Sequence, residues 1–377
     1  MKKCILALTV NTSNWGAERS MCSLFNYLQE QGEKVIVVIP HEGQIIDLFN
    51  QYKIEYIVQK FDNWVYIDKK ISLLRKIRKA IRDEKMVKNV LANIQEKGYY
   101  PKIVYSATLT FGTGLRIANI LRIPHIQHIR ENIDAFGFKF TYGYKNSMRY
   151  INSTSSRIIC TCDAIKNRYS QSVESSKLIT IHNGVIPVDK IPIKNYEGKL
   201  NIMQVGRFMN DKCIIDSLNA IKIMIDSGYS NIKLDLYGDG PEHEMYSDFI
   251  KKNHLEQYIE IKGFVSNINF SIYHIGLMTS SFEAFARSTL DYMNNGLAVI
   301  ASNSGGNLEQ VVNGQTGLFF EVHDVKSLYC SIKTLYTDRK LLENMCKAGR
   351  EHFLKNFTQE RYVKGVGTEI LKFIPKR

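Results

Sequence analysis

The sequence predicts an α/β protein built from two doubly wound domains. Short runs of β-branched residues alternate with longer helical segments, and this alternation pauses once and restarts within 377 residues, a length that suits two domains. Such alternation indicates parallel strands joined by right-handed crossovers. With 44% hydrophobic and 23% charged residues the composition is that of a globular protein, which excludes disordered and collagen-like chains.

Seven strands are predicted in the first domain, residues 1–186. The first apolar run follows Lys3 and resembles the core of a signal peptide, but it is short and lacks a small-residue cleavage site, so we interpret it as a strand. No apolar run reaches the ~18 residues that span a bilayer, and we therefore expect a cytoplasmic protein. The predicted strands are residues 4–10, 34–39, 54–58, 103–106, 124–129, 157–160 and 178–181, and residues 20–31 have helical periodicity.

The pattern restarts after a polar stretch, residues 187–198, which we predict to be a linker. The second domain is predicted over residues 199–357, with helices at 214–225 and 241–253 and strands at 200–205, 232–237, 259–263, 276–278 and 298–301. The last segment, residues 358–377, is predicted to be a helix that returns to the first domain. Ligands of doubly wound sheets bind beyond the carboxyl ends of the strands, so we expect the site in the cleft between the domains.

Positive charge is concentrated in the first half of the chain. The net charge of +13 divides into 27 basic and 15 acidic residues before Val185, against 23 and 22 from there on. We therefore expect the first half to face an anionic partner. Nucleic acid is disfavoured as that partner, because the basic residues are not interleaved with aromatic ones and no helix-turn-helix or finger spacing is present.

The seven cysteines indicate reduced, buried thiols, because their number is odd and their positions are scattered. Cys160 and Cys162 have neither a second pair nor a histidine at ligand spacing, so the sequence predicts no metal site there.

The most informative motif is the segment 280–291, which carries two carboxylates. Glu283 precedes a helix predicted to start near Ala286, and Asp291 lies inside it. The unpaired amides of a helix N-terminus suit a phosphate, Glu283 could accept hydrogen bonds from sugar hydroxyls, and Asp291 could reach a ribose diol. A capping glutamate and a solvated helix aspartate would explain this pair nearly as well.

In each of the two predicted domains, the loop after the first strand carries a further candidate motif. Gly206 turns the chain after the first strand of the second domain, and Arg207 and Lys212 place two cations there that suit a diphosphate, the alternative being an ordinary surface loop. Gly16 follows the first strand of the first domain, where it would allow the backbone to approach a ligand. That loop is not Gly-x-Gly-x-x-Gly, which disfavours a dinucleotide cofactor.

Taken together, these motifs resemble those of the retaining glycosyltransferases of family 4, and the resemblance covers essentially the whole chain. It implies the GT-B fold, in which two Rossmann-like domains face each other across a cleft. The matching motifs are Gly16-Ala17-Glu18, His182-Asn183-Gly184-Val185, Val205-Gly206-Arg207 with Lys212, Tyr237-Gly238-Asp239-Gly240-Pro241, Gly263-Phe264-Val265, Glu283 with Asp291 and Gly296, and Gly305-Gly306 with Glu309, Gly314 and Gly317.

The resemblance also implies roles for individual residues. Arg207 and Lys212 would hold the donor diphosphate, Glu283 the donor sugar and Asp291 the ribose. Val265 would contact the base through its backbone, Gly16 would lie against the donor, and His128 would be the active-site histidine. The catalytic set is then His128, Arg207, Lys212 and Glu283, and the remaining donor contacts are the backbone amides of Ala284, Phe285, Ala286, Arg287 and Ser288.

This sequence departs from the family pattern at three places. Asp291 stands where glutamate is usual, Trp15 precedes Gly16 where a second glycine is common, and Ala284 and Ala286 replace glycines. These departures bear on which sugar is bound more than on the reaction.

The implied mechanism needs no metal and no cofactor, because the nucleotide sugar is itself a substrate. An oxocarbenium-like transition state would build negative charge on the leaving diphosphate, near Arg207 and Lys212, and the leaving phosphate would take the acceptor proton. His128 would orient the sugar or stabilise charge. The chain contains no Asp-x-Asp, which argues against the metal-dependent single-domain glycosyltransferases. A UDP-sugar is the first expectation and a GDP-sugar the next, and a hydrolase or epimerase of the same fold is the alternative.

The acceptor side is suggested by a basic amphipathic segment, residues 69–88. One helical face carries Ile71, Leu74, Ile77 or Arg78, and Ile81. Another face carries Arg75, Lys79 and Arg82. We expect this segment to dock on an anionic membrane surface, with a lipid-linked glycan as acceptor. The alternative is a solvated helix whose apolar face packs on the core.

Overall fold

The computed structural model describes residues 1–67, 72–133, 137–191 and 193–374. It divides the chain into two compact units, each described by itself. Unit 1 comprises Met1–Asn183 and Gln359–Arg377, and unit 2 comprises Gly184–Thr358.

Unit 1 is a seven-stranded parallel sheet covered by helices. Its strand order is β3-β2-β1-β5-β6-β8-β9, and the short strands β4 and β7 form a separate antiparallel pair. The elements are β1 (Lys2–Leu8), α1 (Gly16–Glu30), β2 (Val35–Ile39), α2 (Ile45–Gln51), β3 (Glu55–Val58), β4 (Val65–Ile67), α3 (Leu73–Glu96), β5 (Tyr99–Ser106), α4 (Thr113–Leu121), β6 (His125–Ile129), β7 (Phe138–Phe140), α5 (Tyr144–Thr154), β8 (Arg157–Cys160), α6 (Asp163–Ser170) and β9 (Leu178–Thr180).

The continuous apolar runs of this sheet follow from burial on both faces. All five residues of β2 have no solvent exposure, and alternate residues of β1 contribute to separate cores on the two sides of the sheet. Ile5 pairs with Val35 on one side and with Ile103 on the other, so β1 lies inside the sheet. All seven predicted strands are present. The pair β4 and β7 was not predicted, because three-residue strands give too short a pattern.

Unit 2 is a six-stranded parallel sheet of order β12-β11-β10-β13-β14-β15. Its elements are β10 (Leu200–Val205), α7 (Ile214–Asp226), β11 (Ile232–Tyr237), α8 (His243–Lys252), β12 (Ile259–Gly263), β13 (Ile275–Met278), α9 (Arg287–Asn294), β14 (Ala298–Ser302), α10 (Asn307–Gln310), β15 (Gly317–Phe320), α11 (Val325–Thr337) and α12 (Arg339–Asn356). The five predicted strands are present, and β15 is additional. Because the order reverses between β10 and β13, the loops that follow these two strands flank a crevice where ligands bind in such sheets.

The segment 187–198, predicted to be a linker, packs on unit 2. The Val188 amide donates to the Asn294 side chain at 3.0 Å, and the Arg350 guanidinium donates to the Val188 carbonyl at 2.6 Å. The Lys194 ammonium is buried against the carbonyls of Phe270 and Tyr273. Unit 2 thus satisfies the polar groups of this segment, and its boundary lies at Gly184 rather than after the segment.

The C-terminal helix α13 (Gln359–Lys372) belongs to unit 1, as the sequence predicted. Val366 and Ile370 are buried in the same core as β1 and β5. At Gly367 a Cβ atom would lie 2.4 Å from the Tyr27 ring of α1, so the absence of a side chain lets the two helices pack closely. Residues 375–377 of the predicted segment lie outside the described residues. Within the described ranges, no helix is long and apolar enough to cross a membrane.

Candidate active site

A lysine and a glutamate meet beyond the carboxyl ends of β10 and β13. The Lys212 ammonium lies 2.5 Å from Glu283 Oε1, and the Ser280 hydroxyl donates to the same oxygen at 2.7 Å. The two loops are also tied through the backbone, where the Ser281 amide donates to the Asp211 carbonyl at 3.0 Å. Two predicted site residues, 71 positions apart, are therefore held side by side.

The electrostatic surroundings keep Lys212 charged. Burial alone would lower the pKa of its ammonium, but the carboxylates of Glu283 and Asp211 outweigh burial and raise the pKa above its usual value. The Asp211 carboxylate lies 3.4 Å from Lys212, on the same short loop. The lysine can therefore present a permanent cation to an anionic ligand.

Two glycines fix the backbone of Glu283. Gly305 has a φ of +57°, and a Cβ atom there would lie 2.2 Å from the Glu283 carbonyl oxygen. The Gly306 amide donates to that oxygen at 2.7 Å, and a Cβ at Gly306 would lie 2.1 Å from the Ala284 carbonyl. The loop after β14 thus packs directly on the loop after β13, which only glycine permits.

Arg207 is positioned by another backbone contact. Gly238 has a φ of +140°, and a Cβ there would lie 1.8 Å from the Gly206 carbonyl. The Phe208 amide donates to the Asp239 carbonyl at 3.0 Å, while the Phe208 ring is buried. The loop after β11 therefore supports the loop after β10, and the Arg207 side chain is exposed at the same edge of the sheet.

The start of α9 differs in part from the prediction. The Ala286 amide, predicted to bind a phosphate, donates to the Gln310 side chain at 3.2 Å, and Gln310 donates back to the Ala286 carbonyl at 2.7 Å. The Phe285 side chain is buried against Phe357, and the Arg287 guanidinium donates to the Gly184 carbonyl at 3.2 Å. Ala286 is therefore already engaged, and the Phe285 and Arg287 side chains brace the helix. Gln310 was not among the predicted site residues.

A cavity of about 220 Å³ adjoins this helix. Two predicted donor residues, Ser288 and Asp291, line it together with Ser266, Ile268 and Phe270, which belong to the segment directly after Val265. Val265 itself is 39% exposed and does not line the cavity. The volume is below the ~300–1,000 Å³ of a complete small-molecule site, so it suits one part of a ligand. The lining residues Ser266, Ile268, Phe270 and Tyr292 were not predicted.

In unit 1, Gly16 begins α1 directly after the loop that follows β1, and Trp15 before it is 56% exposed. The Arg130 guanidinium donates to the Ala17 carbonyl at 3.1 Å and to the Tyr362 hydroxyl at 2.7 Å. The loop at Gly16, the end of β6 and helix α13 are thereby joined through one arginine.

His128 is enclosed in unit 1. Its ring has no solvent exposure, and Nδ1 lies 2.6 Å from the Tyr105 hydroxyl. Burial and, second, the nearby Arg130 cation hold the pKa of His128 well below its usual value, so the ring is neutral. The ring Nε2 is buried and has no hydrogen-bond partner among the described residues, so the role of His128 in the reaction stays a prediction. His125 lies on the opposite face of β6 and bonds Ser106 and Ser155, as strand alternation predicts.

Glu131, which sequence reasoning did not single out, is partly buried just after the end of β6. It accepts hydrogen bonds from the Leu109 amide and, at 3.1 Å, from the Arg130 amide. Burial raises the pKa of its carboxyl, although these hydrogen bonds oppose the increase. A carboxylate directly after a buried strand was the only available signal.

The basic segment also differs from its prediction. Lys79 pairs with Asp83 at 3.0 Å and Arg82 with Asp62 at 2.6 Å, so two of the three predicted surface cations are engaged within unit 1, while Arg75 is exposed. Residues 69–71 of the predicted segment lie outside the described residues. The apolar residues of its first half face solvent, as the exposures of Leu73, Leu74, Ile77 and Ile81 show (73%, 69%, 49% and 66%). Only the second half packs on the core, through Met86, Val87, Val90 and Ile94.

Two family models match the two halves of the chain. The model described as Glycosyltransferase Family 4 matches residues 16–188, and the model described as Glycosyl transferases group 1 matches residues 186–352. The chain belongs to the family 4 glycosyltransferases.

Individual relatives agree with this assignment. The glycosyltransferase is 28% identical over 262 residues to an uncharacterized glycosyltransferase of Methanocaldococcus jannaschii, an alignment that covers 67% of this chain and 70% of the relative. It is 27% identical over 159 residues to the capsular polysaccharide biosynthesis glycosyltransferase CapM of Staphylococcus aureus, covering 41% of this chain and 42% of CapM. The chain thus aligns with less than half the length of CapM.

The fold of the glycosyltransferase matches that of HepE from Anabaena, solved in complex with UDP. The TM-score is 0.79 at 17% sequence identity, and the match covers 99% of this chain and 100% of HepE. Together with the two parallel sheets, this likeness confirms the predicted GT-B fold.

Proposed function

We propose that this glycosyltransferase transfers a sugar, with retention of anomeric configuration, from a nucleoside diphosphate sugar to a glycan acceptor. The observation that carries the proposal is the placement of the Lys212–Glu283 pair and of the cavity at Ser288 and Asp291 around the ends of β10 and β13. Together they offer a cation that suits a diphosphate. They also offer a carboxylate, which lies beside a space about the size of a nucleoside. UDP is the proposed nucleotide, since HepE was solved with UDP and with UDP-glucose.

The proposed role of Lys212 follows from its charge and its fixed position. As the bond between sugar and diphosphate breaks, negative charge grows on the leaving group. A cation already oriented toward that charge stabilises the transition state more than the ground state. Glu283 and Asp211 keep Lys212 charged, and Arg207 supplies a second cation at the same edge. We further propose that the leaving phosphate accepts the acceptor proton, so that no protein base is needed.

We propose that the reaction is independent of metal ions and cofactors. The cations at this edge of the sheet are side chains, and the chain has no Asp-x-Asp with which to hold a metal-bound diphosphate. The test is a panel of nucleotide sugars with EDTA present, in which the released nucleoside diphosphate is measured. We expect release from a UDP-sugar, and loss of release in Arg207→Ala and in Glu283→Ala.

The products separate this proposal from its alternatives. A transferase releases more UDP when an acceptor is added to the panel than without one, and NMR of the glycosylated product gives the anomeric configuration. A hydrolase would release free sugar without acceptor, and an epimerase would yield a second nucleotide sugar. Unchanged release in both variants would refute the assignment of the site.

We also propose that the start of α3 docks on an anionic membrane, which would give access to a lipid-linked acceptor. Leu74, Ile77 and Ile81 are spaced along one helical face and are exposed, and Arg75 and Arg78 lie exposed beside them. Exposed apolar residues flanked by cations are typical of helices that lie in a membrane interface. The alternative of an apolar face packed on the core holds only from Met86 onward.

The test is sedimentation with vesicles of phosphatidylglycerol or of phosphatidylcholine alone. We expect salt-sensitive binding to the anionic vesicles and its loss in Leu74→Glu/Ile81→Glu. The control is Ile120→Glu, which alters a residue of α4 that is 54% exposed and distant in sequence from the patch. Equal binding by the double variant and the wild type, or no binding at low salt, would contradict the proposal.

A further inference from the structure

Three side chains with metal-binding atoms converge in unit 2 at a place that the proposed reaction does not use. They are Cys213 and Asp216, at the start of α7, and His323, in the loop after β15, and their ligand atoms all lie within 4.8 Å of one another. Asp216 Oδ2 lies 3.4 Å from His323 Nδ1. Cys213 and Asp216 are 4% and 8% exposed, whereas His323 is exposed and open to solvent.

The buried carboxylate is the second observation. Within the described part of the chain, Asp216 Oδ2 makes no well-aligned hydrogen bond although it is buried, its near neighbour being His323 Nδ1 at 3.4 Å, and an unsatisfied buried carboxylate oxygen is costly. The oxygen is directed toward the histidine, so a cation bound between the two would satisfy it.

We infer that Cys213, Asp216 and His323 form a binding site for a zinc ion. Thiolate, imidazole and carboxylate are the three ligand types of zinc, and three protein ligands leave the fourth position to water. A tetrahedral ion with bonds of ~2.1 Å to nitrogen and oxygen sets those atoms about 3.4 Å apart, which matches the observed separation. With a bond of ~2.3 Å to sulfur, the other two separations are about 3.6 Å, so a separation at the observed limit of 4.8 Å would have to shorten by about 1 Å.

The ion would link two loops of unit 2. Cys213 immediately follows Lys212, so the ion would also brace the loop that carries the proposed diphosphate ligand without itself touching the donor. On binding, the Cys213 thiol loses its proton to solvent, and zinc forms bonds to sulfur, to a ring nitrogen of His323 and to Asp216 Oδ2. No bond of the sugar donor is involved, so the site stands or falls separately from the transferase activity.

The test is zinc binding by the tag-free, full-length protein, measured by equilibrium dialysis and by cobalt substitution. We expect one zinc ion per chain and a thiolate-to-cobalt charge-transfer band that Cys213→Ser abolishes. Cys213→Ser, Asp216→Asn and His323→Ala should each weaken zinc binding by more than the ~10–100-fold typical of losing an outer contact. Zinc should raise the melting temperature of the wild type and of none of these variants.

Matched controls come from the same unit. His254 is an exposed histidine with a φ of +54°, against +62° for His323, so His254→Ala removes an equivalent side chain from an equivalent backbone. Cys330→Ser removes an exposed thiol. Both should bind zinc as the wild type does. The inference is overturned if the wild type binds no zinc at micromolar concentrations, or if His323→Ala, which alters a solvent-exposed position and should fold, binds zinc as tightly as His254→Ala does.

Discussion

Replacing Lys212 by methionine separates the ion pair that this side chain forms with Glu283 from its proposed role in the reaction. Methionine keeps most of the length and the apolar stem but removes the charge. In the folded protein the Glu283 carboxylate would then lose a partner at 2.5 Å and keep the Ser280 hydroxyl as a donor. If Lys212 also neutralises the leaving diphosphate, turnover should fall far more than stability.

The loss of stability and the loss of turnover can be estimated separately. The paired side chains are 23% and 17% exposed, which places the pair between exposed ion pairs, worth ~0–1 kcal/mol, and buried ones, whose disruption costs ~3–5 kcal/mol. We therefore expect Lys212→Met to lower the free energy of unfolding by about 2 kcal/mol. Loss of one donor to the developing charge should lower kcat by ~10²–10³.

The double variant Lys212→Met/Glu283→Gln tests whether the effects on stability and on turnover have separate causes. Glutamine can still accept the Ser280 hydrogen bond and carries no uncompensated charge, so most of the lost stability in urea denaturation should return while kcat stays low. The control Lys222→Met breaks an exposed pair with Asp226 in the same unit and should leave UDP release unchanged. Turnover of Lys212→Met within about threefold of the wild type, or recovery of turnover in the double variant, would refute the proposed role of Lys212.

Three further predictions concern stability and placement. Burial lowers the pKa of His125 to about 3, whereas the pKa of a histidine in the unfolded chain is ~6.5. As the pH falls below ~6.5, the free energy of unfolding should therefore decrease, by about 2 kcal/mol between pH 8 and pH 5. Urea titrations at the two pH values measure this difference, which His125→Gln should make smaller. Gly305→Ala should lower the free energy of unfolding by at least ~1–2 kcal/mol, and it should lower kcat because the added methyl group displaces Glu283. Gly314 also has a positive φ, but a Cβ atom there would meet open space. Gly314→Ala should therefore lower the free energy of unfolding by the backbone strain alone and leave kcat unchanged. Tyr362→Phe removes the hydroxyl that accepts a hydrogen bond from Arg130, and it should lower the free energy of unfolding by ~1.5–3 kcal/mol in thermal or urea unfolding. An unchanged free energy of unfolding would indicate that α13 is held by its apolar face alone.

The strands of both sheets could be predicted because burial on both faces produces continuous apolar runs. Cys4 to Leu8 of β1 have no solvent exposure, and no polar residue interrupts them. β15 was missed because its four residues, Gly317–Phe320, are half-buried in the middle and carry no β-branched side chain. The pattern of a strand is local, so it survives in the sequence. Contacts between loops, such as that of Gly305 with Glu283, join residues that are distant in the sequence. Their one sign in the sequence is the glycine that the close approach requires.

The site residues show the same limit. Arg207, Lys212 and Glu283 could be named from motif spacing, but the engagement of the Ala286 amide by Gln310 depends on a side chain 24 positions away. His128 was placed correctly on the face of β6 that also carries Arg130, yet its enclosure depends on Tyr105 and on Tyr362 of the C-terminal helix. Helical periodicity on α3 could not reveal whether the apolar face was covered, because an exposed stripe and a packed one have the same spacing.

The donor edge of unit 2 is assembled mainly by backbone contacts, and this has a consequence for substrate choice. The loops after β10, β11, β13 and β14 touch one another where Gly206 meets Gly238 and where Gly305 meets Glu283. These contacts admit no side chain, so the position of the Lys212–Glu283 pair cannot vary gradually with sequence. The lining of the cavity, by contrast, consists of side chains such as Ser266 and Phe270 that can be exchanged without moving the backbone. We therefore expect changes in donor preference to arise at Ser266, Ile268, Phe270 and Ser288, while the groups that we propose to act on the diphosphate stay fixed.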